Sequence, residues 1–180
     1  MSTAPSPAIT PEFAAGYRAL VLEGLKNEVE TTKRVLAAVP DAKRDYRPDP
    51  KARTAWELAW HIASEDVLVL EQIADGKFVF PDTRYDKQKP NTVAELVAWY
   101  DKNITRALDR VRSMSPTQLT TPINFMGLFN FPAVAYLGFM NNHSIHHRGQ
   151  LATYLRPMGS KVPSIYGGSA DEPFEMPATA

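Results

Sequence analysis

Residues 92–114, TVAELVAWYDKNITRALDRVRSM, decide the fold. Apolar side chains fall at Val93, Leu96, Val97, Tyr100, Ile104, Leu108, Val111 and Met114, in steps of three and four. Only an α-helix, with 3.6 residues per turn, gathers that spacing onto one face. Thr92 and Glu95 stand three apart ahead of the run. There the threonine hydroxyl and the glutamate carboxylate can satisfy each other's end of the helix N-terminus, the capping-box arrangement. A helix with a single apolar stripe has to bury it against something, so the rest of the chain must supply partners.

Proline shows where those partners are. The chain has 15 prolines, and they leave four long proline-free windows, 12–39, 51–80, 91–115 and 133–156. Proline lacks the amide hydrogen and clashes with the preceding turn, so it is kept out of helix interiors. Each window is therefore read as a helix. Thr10 suits an N-cap with Pro11 at the first helical position. Thr54 and Glu57 repeat the capping box, Gly76 suits a left-handed C-cap, and Pro132 stands where the fourth helix is expected to begin. Phe13, Tyr17, Leu20, Leu25, Val29 and Leu36 form the first window's stripe, and Trp56, Trp60, Ala63, Val67 and Leu70 the second's. The expected fold is all-α, a four-helix bundle with long connecting loops at 39–53, 76–91 and 115–131, long enough to cross the end of the bundle.

Composition narrows the function. Twenty Lys and Arg balance 20 Asp and Glu, so the cationic surplus of a nucleic-acid binder is missing. With no cysteine in the chain, disulfides, thiolate metal sites and a cysteine nucleophile are excluded. Residues 1–10 are rich in Ser, Ala and Pro and do not resemble a secretory signal, and no stretch matches a membrane span. The expectation is a cytoplasmic protein with neither nucleic-acid nor membrane partners. Its single domain is expected at 11–168, after a disordered segment 1–10 and before a tail, 169–180, that is loosely ordered or docked on the surface.

Three of the four histidines lie within five residues: His143, His146 and His147. On a helix, His143 and His147 are one turn apart on the same face, in the stripe Tyr136, Met140, His143, His147, Gln150, Tyr154. That is the spacing of paired imidazole ligands to a metal; it also suits two hydrogen-bonded core histidines. In the second window His61 lies in a stripe with Leu58, Glu65, Leu68 and Gln72. If the second and fourth helices are neighbours, His61, His143 and His147 form a three-nitrogen site with coordination positions left open, as in catalytic zinc centres. Glu65, one turn from His61, can be a hydrogen-bond partner, a general base, a fourth ligand or a salt-bridged carboxylate. Gln150 and Asn142 can orient a ring nitrogen or a water. His146 points about 100° away from its neighbours and is read as support. Arg148 is read as an ion-pair donor, and the aromatics Phe125, Phe129, Phe131, Tyr136 and Phe139 as core or dimer surface.

Residues 143–150, HSIHHRGQ, followed by Tyr154, Leu155, Arg156, Gly159, Pro163, Tyr166 and Gly167, resemble the C-terminal signature of the DinB/YfiT-like superfamily. Arg47, Pro48, Thr54 and the run Trp60–Ala63 match its second-helix motif, and the resemblance spans about residues 12–168. It implies an up-down-down-up bundle, a divalent metal (often zinc or nickel) held by His61, His143 and His147, and a homodimer. It further implies activities such as thiol-dependent S-transfer with a low-molecular-weight thiol cosubstrate, mycothiol-dependent maleylpyruvate isomerisation, or metal-dependent hydrolysis. Two functions follow: a metal enzyme that activates water or an external thiol, and a non-catalytic metal-binding or stress-response bundle.

Overall fold

The structure, a computed structural model, describes residues 9–174. Four long helices form the body: α1 (Pro11–Ala37), α2 (Ala55–Asp75), α3 (Val93–Arg112) and, after a short helix α4 (Pro116–Thr120) and strands β1 (Pro122–Phe125) and β2 (Phe129–Pro132), α5 (Ala135–Leu155). Their ends are set by the residues the sequence marked. Thr10 caps α1 with Pro11 in its first turn. Thr54 and Thr92 form complete capping boxes with Glu57 and Glu95. Gly76 ends α2 at φ 70°, a left-handed backbone that glycine adopts without strain.

Side-chain pairs at successive heights give the directions. Tyr100 meets Asp66 and Arg106 meets Glu71 at 2.8 Å, while Arg110 meets Asp75 at 2.7 Å, so α2 and α3 run parallel. Ser144 meets Asp66 and His147 meets His61, so α5 runs antiparallel to α2. Lys33 pairs with Asp101 and Arg18 reaches the Met114 carbonyl, so α1 opposes α3. Tyr17 lies against Gly138 and Glu28 against Arg148, so α1 and α5 are parallel. The bundle is up-down-down-up, so the α2–α3 link crosses from one end of it to the other, while the α1–α2 and α3–α5 links each stay at one end. Leu36, Leu58, Ile62, Leu70, Leu96, Ile104, Leu137 and Leu151 are fully buried between the four helices.

Three details differ from the sequence reading. The 115–131 link is not a plain loop: Ser115 caps α4 with Gln118, and β1 and β2 pair antiparallel, Ile123 opposite Phe131. Pro132 accordingly closes β2, and α5 begins at Ala135. The hairpin turn uses left-handed backbone at Met126 (φ 56°) and Gly127 (φ 75°). In α1, Phe13 and Leu20 are exposed (60% and 73%), and the buried stripe runs instead through Ala14, Leu22, Leu25, Val35 and Leu36. Helical spacing fixes the pitch of a stripe but leaves its rotation free when apolar residues stand on two faces. The aromatic run divides. Tyr136 is buried and donates to the Ile123 carbonyl at 2.8 Å, whereas Phe129, Phe131 and Phe139 are partly exposed at the α5 N-terminal end.

Residues 1–8 and 175–180 lie outside the described residues, and with them most of the segment expected to be disordered and the end of the tail. Residues 169–174 dock through Asp171, which accepts from Arg156 and the Val162 amide, and Glu172, which accepts from Arg34 and the Ser164 amide. Among the described residues no helix is long and apolar enough to cross a membrane.

Two buried polar groups tie the helices together. Arg148 is 1% exposed and donates from α5 to the Glu28 carbonyl and carboxylate and the Thr32 hydroxyl on α1, and to the Tyr166 hydroxyl. Asp66 on α2 accepts from Tyr100 on α3 (3.0 Å) and Ser144 on α5 (2.8 Å), and its Oδ1 is buried with no partner among the described residues. Burial raises the Asp66 carboxyl to about 7, against the pull of the Ser144 and Tyr100 hydrogen bonds.

Replacing Arg148 with Met leaves the largely buried Glu28 carboxylate with the Tyr166 hydroxyl as its remaining donor among the described residues and is expected to cost about 3 kcal/mol in chemical denaturation. Asp66 binds its proton more tightly folded than unfolded, where its pKa is about 3.9. Its contribution to stability is therefore present below about pH 4 and lost as pH rises toward 7. The stability of wild type minus that of Asp66→Asn, from urea unfolding, should shrink over that range; a constant difference contradicts the assignment.

Candidate metal centre

The antiparallel α2–α5 pair sets the site. His61 sits two turns into α2, and His143 and His147 are one turn apart in the second half of α5. All three rings are half-buried, and each offers one nitrogen within 4.8 Å of the other two. Among the described residues this is the group of histidine and carboxylate side chains arranged to hold a metal ion. The rings meet edge to face, with centroids 4.6 Å apart for His61 and His147 and 4.5 Å for His143 and His147.

The two Nε2 atoms of His61 and His147 face each other at 3.3 Å. Two imidazole nitrogens bound tetrahedrally to one zinc, with bonds of about 2.0–2.1 Å, stand about 3.3 Å apart, so the pair already has a metal's spacing. His143 Nδ1 is buried and has no hydrogen-bond partner among the described residues. A buried nitrogen without a partner is costly unless something binds it. The donor set is all nitrogen, which suits zinc, nickel, copper or ferrous iron and cannot choose between them.

Electrostatics keep the rings ready to ligate. Burial pulls His61 down to about 3, helped by the positive charge of Arg53 and by the other two histidines. Burial pulls His143 down to about 4, with His147, His146 and Arg53 adding to it. His147 is lowered mainly by burial, against the opposing hydrogen bond to Gln150. All three are thus neutral at physiological pH, the form that carries a free lone pair.

Each residue singled out in the sequence has a place. Gln150 Oε1 lies 3.1 Å from His147 Nδ1. An amide oxygen can only accept, so Nδ1 carries the proton and the Nε2 lone pair is turned toward His61. Asn142, by contrast, is exposed and makes no side-chain hydrogen bond to a described residue, so it orients none of the three rings. His146 is exposed on the next face of α5, its ring edge 4.8 Å from that of His147 by centroids, and it stands outside the ligand group. Glu65 also stands outside that group. It is half-buried, and burial raises its carboxyl, with Arg53 pulling the other way.

Sequence reasoning missed two contributors. Arg53 has no motif to distinguish it from the other cations of its link; its charge matters because the link folds back over the histidine end. The Asp66–Ser144 bond fixes α2 against α5 one residue from His143, and neither residue type announces that pairing.

The sequence pattern that defines the DinB superfamily matches residues 25–151. The uncharacterized protein YrdA of Bacillus subtilis is 26% identical over 153 residues, covering 84% of this chain and 89% of the relative. The crystal structure of a DinB-like protein from Bacillus cereus superposes with a TM-score of 0.68 at 27% identity, over 81% of this chain and 95% of that one. A DinB-like protein from Bacillus subtilis, at 20% identity, shares the fold with a TM-score of 0.65, over 81% and 97% of the two chains.

The Gln150 contact predicts a single tautomer for His147. Nitrogen-15 shifts of the imidazole should report Nδ1–H in the wild type at neutral pH and a mixture of tautomers in Gln150→Leu. An Nε2–H ring in the wild type contradicts the geometry.

Proposed function

The chain belongs to the DinB superfamily, and on that footing we propose that it is a metal-dependent enzyme whose His61, His143 and His147 hold one divalent metal ion, zinc or nickel. The observation that carries this reading is the convergence of three neutral imidazoles on one point, with His143 Nδ1 buried and otherwise unpartnered. When bound, the metal supplies a Lewis acid that brings a water or an external thiol to its nucleophilic form near neutral pH.

The protein's own residues do the rest. Gln150 fixes the tautomer of His147, and Asp66 and Ser144 hold α2 and α5 at the separation the rings need. Glu65 is the carboxylate on the His61 side of the site, and its burial raises its pKa toward the range of a proton acceptor. Because the chain has no cysteine, a sulfur nucleophile has to be a cosubstrate, so the activity is S-transfer from a low-molecular-weight thiol or hydrolysis. The alternative of a non-catalytic bundle would put the metal in a closed four-ligand site. Three clustered ligands without a carboxylate among them favour the open, catalytic kind.

Elemental analysis after loading with zinc or nickel should find one equivalent per chain, falling below 0.2 or so in His143→Ala and His147→Ala and unchanged in His146→Ala. Full metal content in His143→Ala refutes the site. A loaded protein that loses melting temperature on chelation but turns over neither thiol-plus-electrophile nor ester substrates supports the non-catalytic reading instead.

A further inference from the structure

The surface beside the histidines carries a feature that metal binding leaves unused. On α5, Phe139 stands four residues before His143. Residues at that spacing are neighbours on one helical face, with Cβ atoms about 5–6 Å apart. The Phe139 ring packs edge-on against Phe125 of β1, at 5.6 Å between centroids. Phe125 also meets Phe80 at 5.2 Å and Phe129 at 6.1 Å. Phe125 is itself half-buried, seated on Phe78 and Tyr136, while Phe80, Phe129 and Phe139 around it are 41%, 46% and 43% exposed. Three raised rings about one sunken ring make a shallow aromatic cup, and Phe139 is the wall of it that borders His143.

The cup is uncharged. Residues 113–147, which supply Phe125, Phe129 and Phe139, contain no Asp, Glu, Lys or Arg. Asp82, two residues past Phe80, has its carboxylate held by Gln72 and Arg84. Apolar rings left exposed together mark a binding surface. Area decides between a small ligand and a second chain. Phe80, Phe129, Phe139 and the neighbouring Phe131 are each less than half exposed. At about 200 Å² per ring they offer less than about 400 Å². Each partner in a standard protein interface buries about 800 Å². The cup is too small for that and large enough for one ring of a ligand.

We propose that this cup is the substrate-recognition subsite of the three-histidine centre, taking an uncharged aromatic group of a small molecule whose reactive end reaches the metal. A ring seated there meets the walls edge to face or offset-stacked, the arrangements that aromatic pairs favour. The substrate class is thus an ester or an electrophile that carries an aryl group. The inference rests on the metal-site reading above and adds the chemistry of what the site accepts.

The test uses the full chain loaded with cobalt(II), whose visible absorption reports a ligand arriving at the metal without turnover. The probes are acetohydroxamate and 3-phenylpropanohydroxamate, which share a metal-binding head and differ in the phenyl arm. The wild type should bind the phenyl probe about tenfold tighter. Phe139→Ala and Phe80→Ala should each cut that preference to about threefold or less, while keeping their cobalt content and their affinity for acetohydroxamate. Phe13→Ala, which removes an exposed ring stacked on Tyr17 of α1, should leave the preference intact. Equal affinity for the two probes in the wild type overturns the proposal. So does a preference that survives in both cup variants, or one that falls as far in Phe13→Ala. A wild type that sediments as a dimer, shows no phenyl preference and separates into monomers in Phe139→Ala also overturns it, and makes the cup an interface between two copies. Failure to take up cobalt overturns the metal reading beneath it and is visible before any hydroxamate is added.

Discussion

The antiparallel packing of α2 against α5 is the constraint on which the site depends. Two helices in contact bring together residues at matching heights, and here the matching heights carry His61 opposite His147 and Asp66 opposite Ser144, with Phe78, just past the end of α2, opposite Tyr136. The first pair makes the site, the second braces it one turn deeper, and the third closes the far end. Because α2 and α3 are parallel, the intervening link must cross the whole bundle, and the Glu71 carboxylate anchors its return through Arg84 and Tyr85. The topology is therefore inseparable from the chemistry: an up-down-up-down bundle with short turns would have placed other faces against one another.

Around this axis the polar interior is arranged by cost. Arg148 is buried, yet its two terminal nitrogens are engaged by α1 and Tyr166. It thereby locks the helix that carries two histidines to the helix beside it. Asp66 answers burial differently, by holding its proton up to about pH 7, because its donors among the described residues are two hydroxyls. The histidines answer it a third way, by remaining neutral. Burial that would penalise a charge is what leaves their lone pairs open to a metal.

Much of this was legible in the sequence because the signals were local. Proline exclusion, the Thr54 and Thr92 capping boxes and Gly76 set helix ends within a few residues, and the spacing of His143 and His147 placed two rings on one face. Gln150 was also readable, one turn along the same stripe. What was not legible depends on partners distant in the chain. Nothing near Phe13 or Leu20 says which way α1 rotates, since apolar residues stand on both of its faces. The hairpin at 122–132 is too short for a clear two-residue alternation, and the left-handed turn at Met126 is not a conformation its side chain advertises. Asn142 and Gln150 had equal chemical claims, and only the rotation of α5 turned one inward and the other to solvent. Arg53 acquires its meaning from a link that folds back over the bundle end.

The central claim is that three imidazoles from two antiparallel helices hold one metal. A crystal of the loaded protein, with data collected on both sides of the metal's absorption edge, tests it most directly. The account predicts one anomalous peak per chain at bonding distance, about 2.0–2.2 Å, from a nitrogen each of His61, His143 and His147. A loaded crystal with no peak there, or with its peak on other residues, would contradict it.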